Sequence, residues 1–175
     1  MLLYIGCSAN DDIKEEILKD CESLLEEVLK DNDLIFCGCN YGLMGVSYRI
    51  AKKNKRKIIG MCPEEYIEFM KEISCDEEIV TKGIQESTTK IIDTCDAILI
   101  LPGGFGTVYE FFTTLYRKLC HEHDKKIIVY NSMSYYDNLS LQLEEMYKNN
   151  FAGEKIRDTY IISNNKEEII NYLKK

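Results

Sequence analysis

The chain has 175 residues, of which 45% are hydrophobic and 30% charged, and it carries a formal net charge of -8 at pH 7. This length and composition predict a single globular domain, residues 1–175, with a sizeable core. The acidic balance argues against a general nucleic-acid surface, and the absence of a long apolar run argues against a membrane span, so we expect neither partner.

Short apolar runs alternate with amphipathic segments along the chain. Strands are predicted at residues 2–5, 34–37, 57–61, 97–101 and 126–130, with a weaker one at 160–163. Helices are predicted at 11–30, 43–53, 64–72, 84–94, 107–119, 135–149 and 166–174. This alternation predicts an α/β fold of three layers, in which a mostly parallel sheet is covered by helices on both faces.

Eight cysteines are spread along the sequence. The chain shows no signal peptide and is not of the small, loop-rich secreted type, so we expect reduced thiols and a cytoplasmic location. Cys37-Gly38-Cys39 resembles half of a metal site, but no second Cys or His pair stands at a matching spacing. We therefore expect no metal ion, and we interpret these cysteines as small packed side chains.

Small and polar residues follow three of the predicted strands. Gly6-Cys7-Ser8 follows the first strand, residues 38–42 follow the second, and residues 102–107 follow the strand at 97–101. In parallel sheets, ligands bind beyond the carboxyl ends of the strands. We therefore expect the functional site near these three segments.

The turn at residues 102–107 contains three glycines: Gly103, Gly104 and Gly106. Glycine lets the backbone approach an anion closely, and the first N–H groups of the following helix have no intrahelical partner. Thr107 adds a hydroxyl donor. A tight turn would also use glycine, but three glycines in four residues favour phosphate binding, so a small nucleotide or phosphoribosyl compound is the expected ligand.

Glu110 stands three residues after Thr107, a spacing that allows two interpretations. In a capping box, Thr107 would be the N-cap residue and Glu110 would bond back to its amide. In a catalytic site, a carboxylate beside a bound phosphoribosyl group stabilises an oxocarbenium-like centre or deprotonates a water molecule. The spacing alone leaves both interpretations open.

The run from Pro102 to Glu110 resembles the PGGxGTxxE signature of the Lonely Guy (LOG) family. The resemblance continues, in the family's order, at residues 6–8, 42–45, 123–125 and 135–139. It implies a Rossmann-like homodimer that hydrolyses the N-glycosidic bond of a nucleoside 5'-monophosphate, such as AMP or a cytokinin ribotide, without a cofactor. The products would be a free base and ribose 5-phosphate.

The resemblance also implies roles for individual residues. Glu110 and Glu86 would be catalytic. The phosphate would be held by Gly103, Gly104, Gly106 and Thr107, and the nucleotide cleft would be lined by Gly6, Ser8, Gly42 and Met44.

The chain departs from the family where relatives carry an MHERK-like stretch, because Ser87 and Thr88 replace an arginine and a lysine. Losing a guanidinium, with its fixed donors and permanent charge, weakens transition-state stabilisation by about 2–4 kcal/mol. Arg49, Arg117 and Lys90 are candidate replacements. The alternative function is a catalytically silent nucleotide-binding protein, a sensor or a carrier of the same fold.

Overall fold

A computed structural model describes residues 1–174 of the chain. Its strands are β1 (Leu2–Gly6), β2 (Asp33–Phe36), β3 (Ile58–Pro63), β4 (Glu77–Thr81), β5 (Ala97–Ile100), β6 (Lys126–Tyr130) and β7 (Ile161–Ser163). Its α-helices are α1 (Glu15–Val28), α2 (Gly42–Lys53), α3 (Ile67–Met70), α4 (Ile84–Thr94), α5 (Phe105–Leu119), α6 (Asp137–Lys148) and α7 (Lys166–Lys174). Short 3-10 turns occupy Glu64–Tyr66, Ser132–Ser134 and Glu154–Thr159.

The seven strands form one parallel sheet in the order β4-β3-β2-β1-β5-β6-β7. The chain winds outward from β1 to β4 and then returns, so that β5 pairs with the other edge of β1. The strand order therefore reverses between β1 and β5. Sheets of this kind open a crevice at the carboxyl ends of the strands at that point, and this fixes where a ligand can bind.

Alternate side chains of each strand enter apolar layers on opposite faces of the sheet. On β1, Leu3 and Ile5 pack in the layer that includes the buried residues of α1, α2 and α7. Tyr4 packs in the other layer, with side chains of α4, α5 and α6. The predicted three-layer α/β fold is confirmed, and its topology is Rossmann-like.

The apolar pattern fails to predict β4, because this strand lies at the edge of the sheet. Its sequence begins with Glu77 and Glu78, and most of its residues are exposed. Charged side chains protect edge strands from pairing with other chains, and they also remove the apolar run that identifies a central strand. The helix predicted at 64–72 is a 3-10 turn followed by the four-residue α3. No helix within residues 1–174 is long and apolar enough to cross a membrane.

Lys125, between α5 and β6, caps the C-terminal end of α4. Its ammonium group donates to the carbonyl oxygens of Ile92, of Asp93 (2.9 Å) and of Cys95 (2.6 Å). Its backbone N–H donates to the ring nitrogen Nδ1 of His123 (3.2 Å). A cation here satisfies carbonyls that a helix end leaves without partners and lies at the negative end of the helix dipole. The family-like motif at residues 123–125 therefore has a structural role.

Replacing this cap should destabilise the fold. Lys125→Met is expected to lower the free energy of unfolding by about 1–3 kcal/mol, because the carbonyls lose a charged donor. Urea denaturation at pH 7 measures this. Lys53→Met is the control, since the Lys53 ammonium pairs with Glu26 on the surface (2.9 Å), and a change below about 1 kcal/mol is expected. Equal losses in the two variants would contradict the capping role.

Candidate functional site

The crevice between β1 and β5 is closed at its base by hydrogen bonds between the two strand ends. The N–H of Leu101 donates to the carbonyl oxygen of Gly6 (2.9 Å), and the N–H of Ser8 donates to that of Pro102 (3.2 Å). The carbonyl oxygen of Ser8 in turn accepts from the N–H of Met44 (3.3 Å), in the first turn of α2. The structure thus brings together the loops that follow β1 and β5 and the start of α2.

The glycine turn leaves its amide groups available. Helix α5 begins at Phe105, with Gly104 as its N-cap residue and no side-chain capping bond. Within residues 1–174, the backbone N–H groups of 103–107 make no hydrogen bond. A Cβ atom at Gly103 would lie 2.1 Å from the hydroxyl oxygen of Thr107, whereas Gly104 and Gly106 face open space. This combination of free amides and open space suits an anion.

Two adjacent tyrosines hold the carbonyl groups of this turn. The Tyr135 hydroxyl donates to the carbonyl oxygen of Gly103, and the Tyr136 hydroxyl donates to that of Leu101, both at 2.8 Å. Tyr136 is buried and packs edge-to-face on Tyr135. Because the carbonyl oxygens are occupied, the N–H groups are the polar groups of the turn that remain for a ligand.

The carboxyl group of Glu110 is buried in the second turn of α5, against the ends of β1 and β2. Its Oε1 atom accepts a hydrogen bond from Cys37 Sγ (3.4 Å). Its Oε2 atom is buried without a hydrogen-bond partner among residues 1–174. A Cβ atom on Gly6 would lie 2.9 Å from Oε2, so glycine at that position makes room for the carboxyl group. The capping-box interpretation is wrong, because the N-cap residue is Gly104 rather than Thr107.

Burial raises the pKa of the Glu110 carboxyl, and the polar surroundings provided by Tyr4 and Cys37 oppose this effect only in part. Burial likewise raises the pKa of the Tyr4 hydroxyl and of the Cys7 and Cys37 thiols. These neighbours therefore stay neutral and do not compensate a charge on Glu110. A carboxyl group with a raised pKa in a cleft is the kind of group that exchanges protons in catalysis.

Glu110 borders two adjoining cavities. The first, of about 310 Å³, lies beside the glycine turn, and its walls include Ser8, Asn10, Met44, Gly104, Gly106 and Thr107. The second, of about 320 Å³, is mainly apolar, and its walls include Cys37, Cys39, Cys62, Tyr66, Phe69 and Ile84. Because Ala9, Met44, Gly106 and Glu110 border both, the two cavities form one elongated cleft.

No lysine or arginine from the described part of the chain lines either cavity. Ser87 and Thr88 lie in the wall of the apolar cavity, and the Ser87 hydroxyl is buried without a partner there. The three candidate replacement cations are engaged elsewhere: Arg49 with Asn40 (2.8 Å), Arg117 with Asp93 (2.7 Å) and Glu122 (2.6 Å), and Lys90 with Glu86 (2.7 Å). The cleft therefore holds one ionisable carboxyl group and no compensating cation from residues 1–174.

The structure does not bring Glu86 to the cleft. Its carboxylate accepts from the backbone N–H of Lys82 (2.7 Å) and pairs with Lys90, so it caps the start of α4 at the surface. The hydrogen bond from Lys90 lowers the pKa of Glu86. These contacts give the residue a structural role, in contrast to the catalytic role that the family resemblance implies.

Gly42, which was expected to line the nucleotide cleft, borders neither cavity but contacts a loop that does. It adopts a positive φ of 54°, and its N–H donates to a carboxylate oxygen of Asp11 (2.7 Å). A Cβ atom there would lie 2.6 Å from the carbonyl oxygen of Asn10, which lines the first cavity. Gly42 therefore shapes the loop after β1.

Sequence reasoning missed Tyr4 and Cys37 as neighbours of Glu110. Tyr4 stands two residues before Gly6 on β1, and Cys37 directly follows β2. Both residues lie near the carboxyl ends of two adjacent strands, and this position could have indicated that they border the site. Within residues 1–174 the eight cysteines are free, and no group of three or more His, Cys, Asp or Glu side chains is arranged to hold a metal ion.

The fold and the site together define a Rossmann-like α/β protein with a cleft at the switch point of its sheet. Residues 44–173 match the family model described as "Possible lysine decarboxylase". This match covers well over half of the chain, and the chain belongs to that family, the LOG family.

The chain is similar to proteins named cytokinin riboside 5'-monophosphate phosphoribohydrolases. It is 24% identical over 147 residues to a probable one from Oryza sativa subsp. japonica, covering 83% of this chain and 64% of that protein. It is 25% identical over 150 residues to one from Arabidopsis thaliana, covering 85% and 69%, respectively. It is 23% identical over 138 residues to one from Mycobacterium marinum, covering 78% and 74%. The chain thus spans less than two thirds of the length of the Oryza relative.

The fold is similar to solved structures of proteins described as binding or carrying the molybdenum cofactor. The binding protein from Rippkaea orientalis has a TM-score of 0.69 at 19% identity, with 99% of this chain and 94% of that chain covered. The carrier protein from Chlamydomonas reinhardtii has a TM-score of 0.70 at 18% identity, with the same coverage. At these identities the similarity concerns the fold, because one fold supports many functions.

Removing the buried carboxyl group of Glu110 should stabilise the protein. Glu110→Leu is expected to raise the free energy of unfolding at pH 7 by about 1–3 kcal/mol, because it removes a buried oxygen without a partner. The raised pKa means that folding disfavours the ionised carboxylate, so the wild type loses stability as the pH rises above about 4.3, the value for an exposed glutamate. The gain measured by urea denaturation should therefore shrink as the pH falls from 7 toward that value, and it should level off below it.

The exposed Glu22 on α1 provides the matched control. Glu22→Leu should show no such growth of stability with pH. A Glu110→Leu variant that is less stable than the wild type at pH 7 would contradict the conclusion that the buried carboxyl group lowers the stability of the fold.

Proposed function

We propose that the protein hydrolyses the N-glycosidic bond of a nucleoside 5'-monophosphate of the AMP or cytokinin ribotide type. The products would be a free base and ribose 5-phosphate. One observation carries this proposal: the buried, unpartnered Oε2 atom of Glu110 lies where a cavity beside free backbone amides meets an apolar cavity. The names of the relatives, which are phosphoribohydrolases, support the same reaction.

The glycine turn would hold the phosphate. Its N–H groups at residues 103–107 lack acceptors within the described chain, and α5 is a 15-residue helix whose dipole favours negative charge at this end. Thr107 adds its hydroxyl to the wall of the same cavity. Amides can bind a phosphate without a nearby lysine or arginine, so the lack of cations in the cleft does not oppose this step.

The apolar cavity would hold the base. Tyr66 and Phe69 provide aromatic surface, and Cys39 and Cys62 provide polarisable sulfur atoms. Its volume of about 320 Å³ is within the range of small-molecule sites. A nucleotide that spans the two cavities would place its ribose beside Glu110.

Glu110 would then act on the water that attacks the sugar. The water oxygen bonds to C1' of the ribose, the bond from C1' to the base nitrogen breaks, and its electron pair leaves with the base, which takes up a proton. The carboxylate of Glu110 accepts a proton from the water and stabilises the positive charge that develops on the sugar. Because burial raises its pKa, the carboxylate accepts this proton more readily than an exposed glutamate would.

We also infer a cytoplasmic homodimer. Phe105, 98% exposed, and Tyr116, 68% exposed, lie on α5, the helix that carries Glu110. Large exposed apolar side chains grouped on one helix support an interface with another protein chain. The eight free cysteines support a reducing compartment.

The enzymatic proposal predicts release of free base. The full-length protein is incubated with AMP, GMP, CMP, UMP and isopentenyl-adenine ribotide, and chromatography measures the base formed. Glu110→Ala should lower the rate at least 100-fold, because it removes the general base and the stabilising charge. Glu22→Ala, on the exposed face of α1, should keep the wild-type rate. Release at the same rate by wild type and Glu110→Ala would refute hydrolysis at this site.

A second function, nucleotide binding without turnover, is favoured by the lack of a cation lining the cleft within residues 1–174. A sensor or a carrier needs the phosphate site and the apolar cavity but no charge stabilisation on the sugar. A shift of the melting temperature with AMP, together with no base release, would support it. Neither stabilisation nor release with any of the nucleotides would overturn both proposals.

A further inference from the structure

We propose that Cys37 is a positioning residue for Glu110: its thiol holds one carboxyl oxygen and thereby fixes the orientation of the carboxyl group in the cleft. The effect on turnover rests on the proposed function. The contact itself is a property of the folded chain and can be tested without activity.

The contact belongs to a short chain of buried polar groups. Cys37 Sγ donates to Oε1 of Glu110 (3.4 Å), and the hydroxyl oxygen of Tyr4 lies 3.7 Å from the same sulfur. A thiol has one hydrogen, and here it points to Glu110, so Tyr4 must be the donor to the sulfur. The hydrogen bonds therefore run from Tyr4 to Cys37 to Glu110.

The backbone fixes the position of the thiol. Tyr4 pairs with Ile35 in the sheet, and Cys37 stands two residues further along, just beyond the end of β2. Gly38 has a positive φ of 76°, and a Cβ atom there would lie 2.8 Å from Met70, so the chain turns sharply after Cys37. The thiol therefore lies at the carboxyl end of the central strand β2, against the second turn of α5.

Few other polar groups around Glu110 could orient its carboxyl group. Tyr4 on β1, Cys7 after β1 and Cys37 after β2 are the titratable side chains that act on its carboxyl group or are acted on by it. From α4, Ser87 and Thr88 line the adjoining cavity and do not titrate in the physiological range. No lysine or arginine of residues 1–174 lines the cleft, so the Cys37 thiol is the side chain there that hydrogen-bonds to the carboxyl group and can orient it.

The thiol should also affect the ionisation of Glu110. A hydrogen bond to the charged form of a carboxyl group favours that form, and burial disfavours it. Both effects act on the pKa of Glu110, burial being the larger. Removing the thiol while keeping the burial should therefore move ionisation of Glu110 to higher pH.

A carbon NMR titration of the Glu110 carboxyl group tests the contact in the full-length protein. The resonance is assigned by its loss in Glu110→Gln. Cys37→Ala should move the titration midpoint to higher pH, and Cys37→Ser should restore part of the shift, because a hydroxyl also donates but has a shorter reach. Cys39→Ala is the matched control: Cys39 lines the same cavity, but its thiol contacts the sulfur of Met44 (3.6 Å), so the midpoint should stay unchanged.

Turnover of AMP gives an independent measurement. Cys37→Ala should lower kcat about tenfold, the effect of one lost hydrogen bond, with KM within about twofold of the wild type. The acid limb of the kcat/KM profile, which reports the free enzyme, should move to higher pH by the same amount as the midpoint, because the ionised carboxylate is the active form.

The outcomes separate the two proposals. A Cys37→Ala midpoint equal to that of the wild type, or an equal shift in Cys39→Ala, overturns the positioning role whatever the activity. Failure of the wild type to release base overturns the hydrolase proposal, and the titration then decides the role of Cys37 alone.

Discussion

The buried carboxyl group of Glu110 is the constraint on which the rest of the cleft depends. It belongs to α5 but lies against the ends of β1 and β2. These three elements must therefore pack together and still leave room for the carboxyl group. Gly6 leaves that space on β1, and Cys37 supplies a hydrogen bond at the end of β2. The parallel sheet makes the meeting possible, because the strand order reverses beside β1 and opens the crevice there.

The cleft combines a site for negative charge with neutral surroundings for the carboxyl group. The charge of a bound phosphate would be met by backbone amides and a helix dipole, and the carboxyl group would face neutral thiols, hydroxyls and apolar side chains. Ser87 and Thr88 contribute to this neutrality where the family pattern places cations. Within residues 1–174, what the cleft offers to a bound sugar is the orientation and the shifted ionisation of Glu110.

Much of the fold follows from patterns in the sequence. The bounds of α4, β6 and α7 agree with the prediction to the residue, because amphipathic spacing or an apolar run sets them. Edge strand β4 escapes prediction, because its carboxylates face solvent. For the site, the glycine turn is visible in the sequence, whereas the contact between Cys37 and Glu110 depends on the register of β1 and β2 and on where α5 begins. Thr107 shows why spacing alone cannot predict such contacts. A capping motif fits the spacing from Thr107 to Glu110, but the helix begins two residues before Thr107.

The space beside Gly6 couples two positions that are far apart in the sequence, 6 and 110. A side chain at position 6 and a carboxyl group at position 110 would compete for the same volume, since a single methyl group would already come within 2.9 Å of Oε2. Changes at the two positions are therefore expected to be strongly non-additive in their free energies. A side chain at position 6 would therefore displace the carboxyl group of Glu110 while leaving the apolar layers of the fold in place.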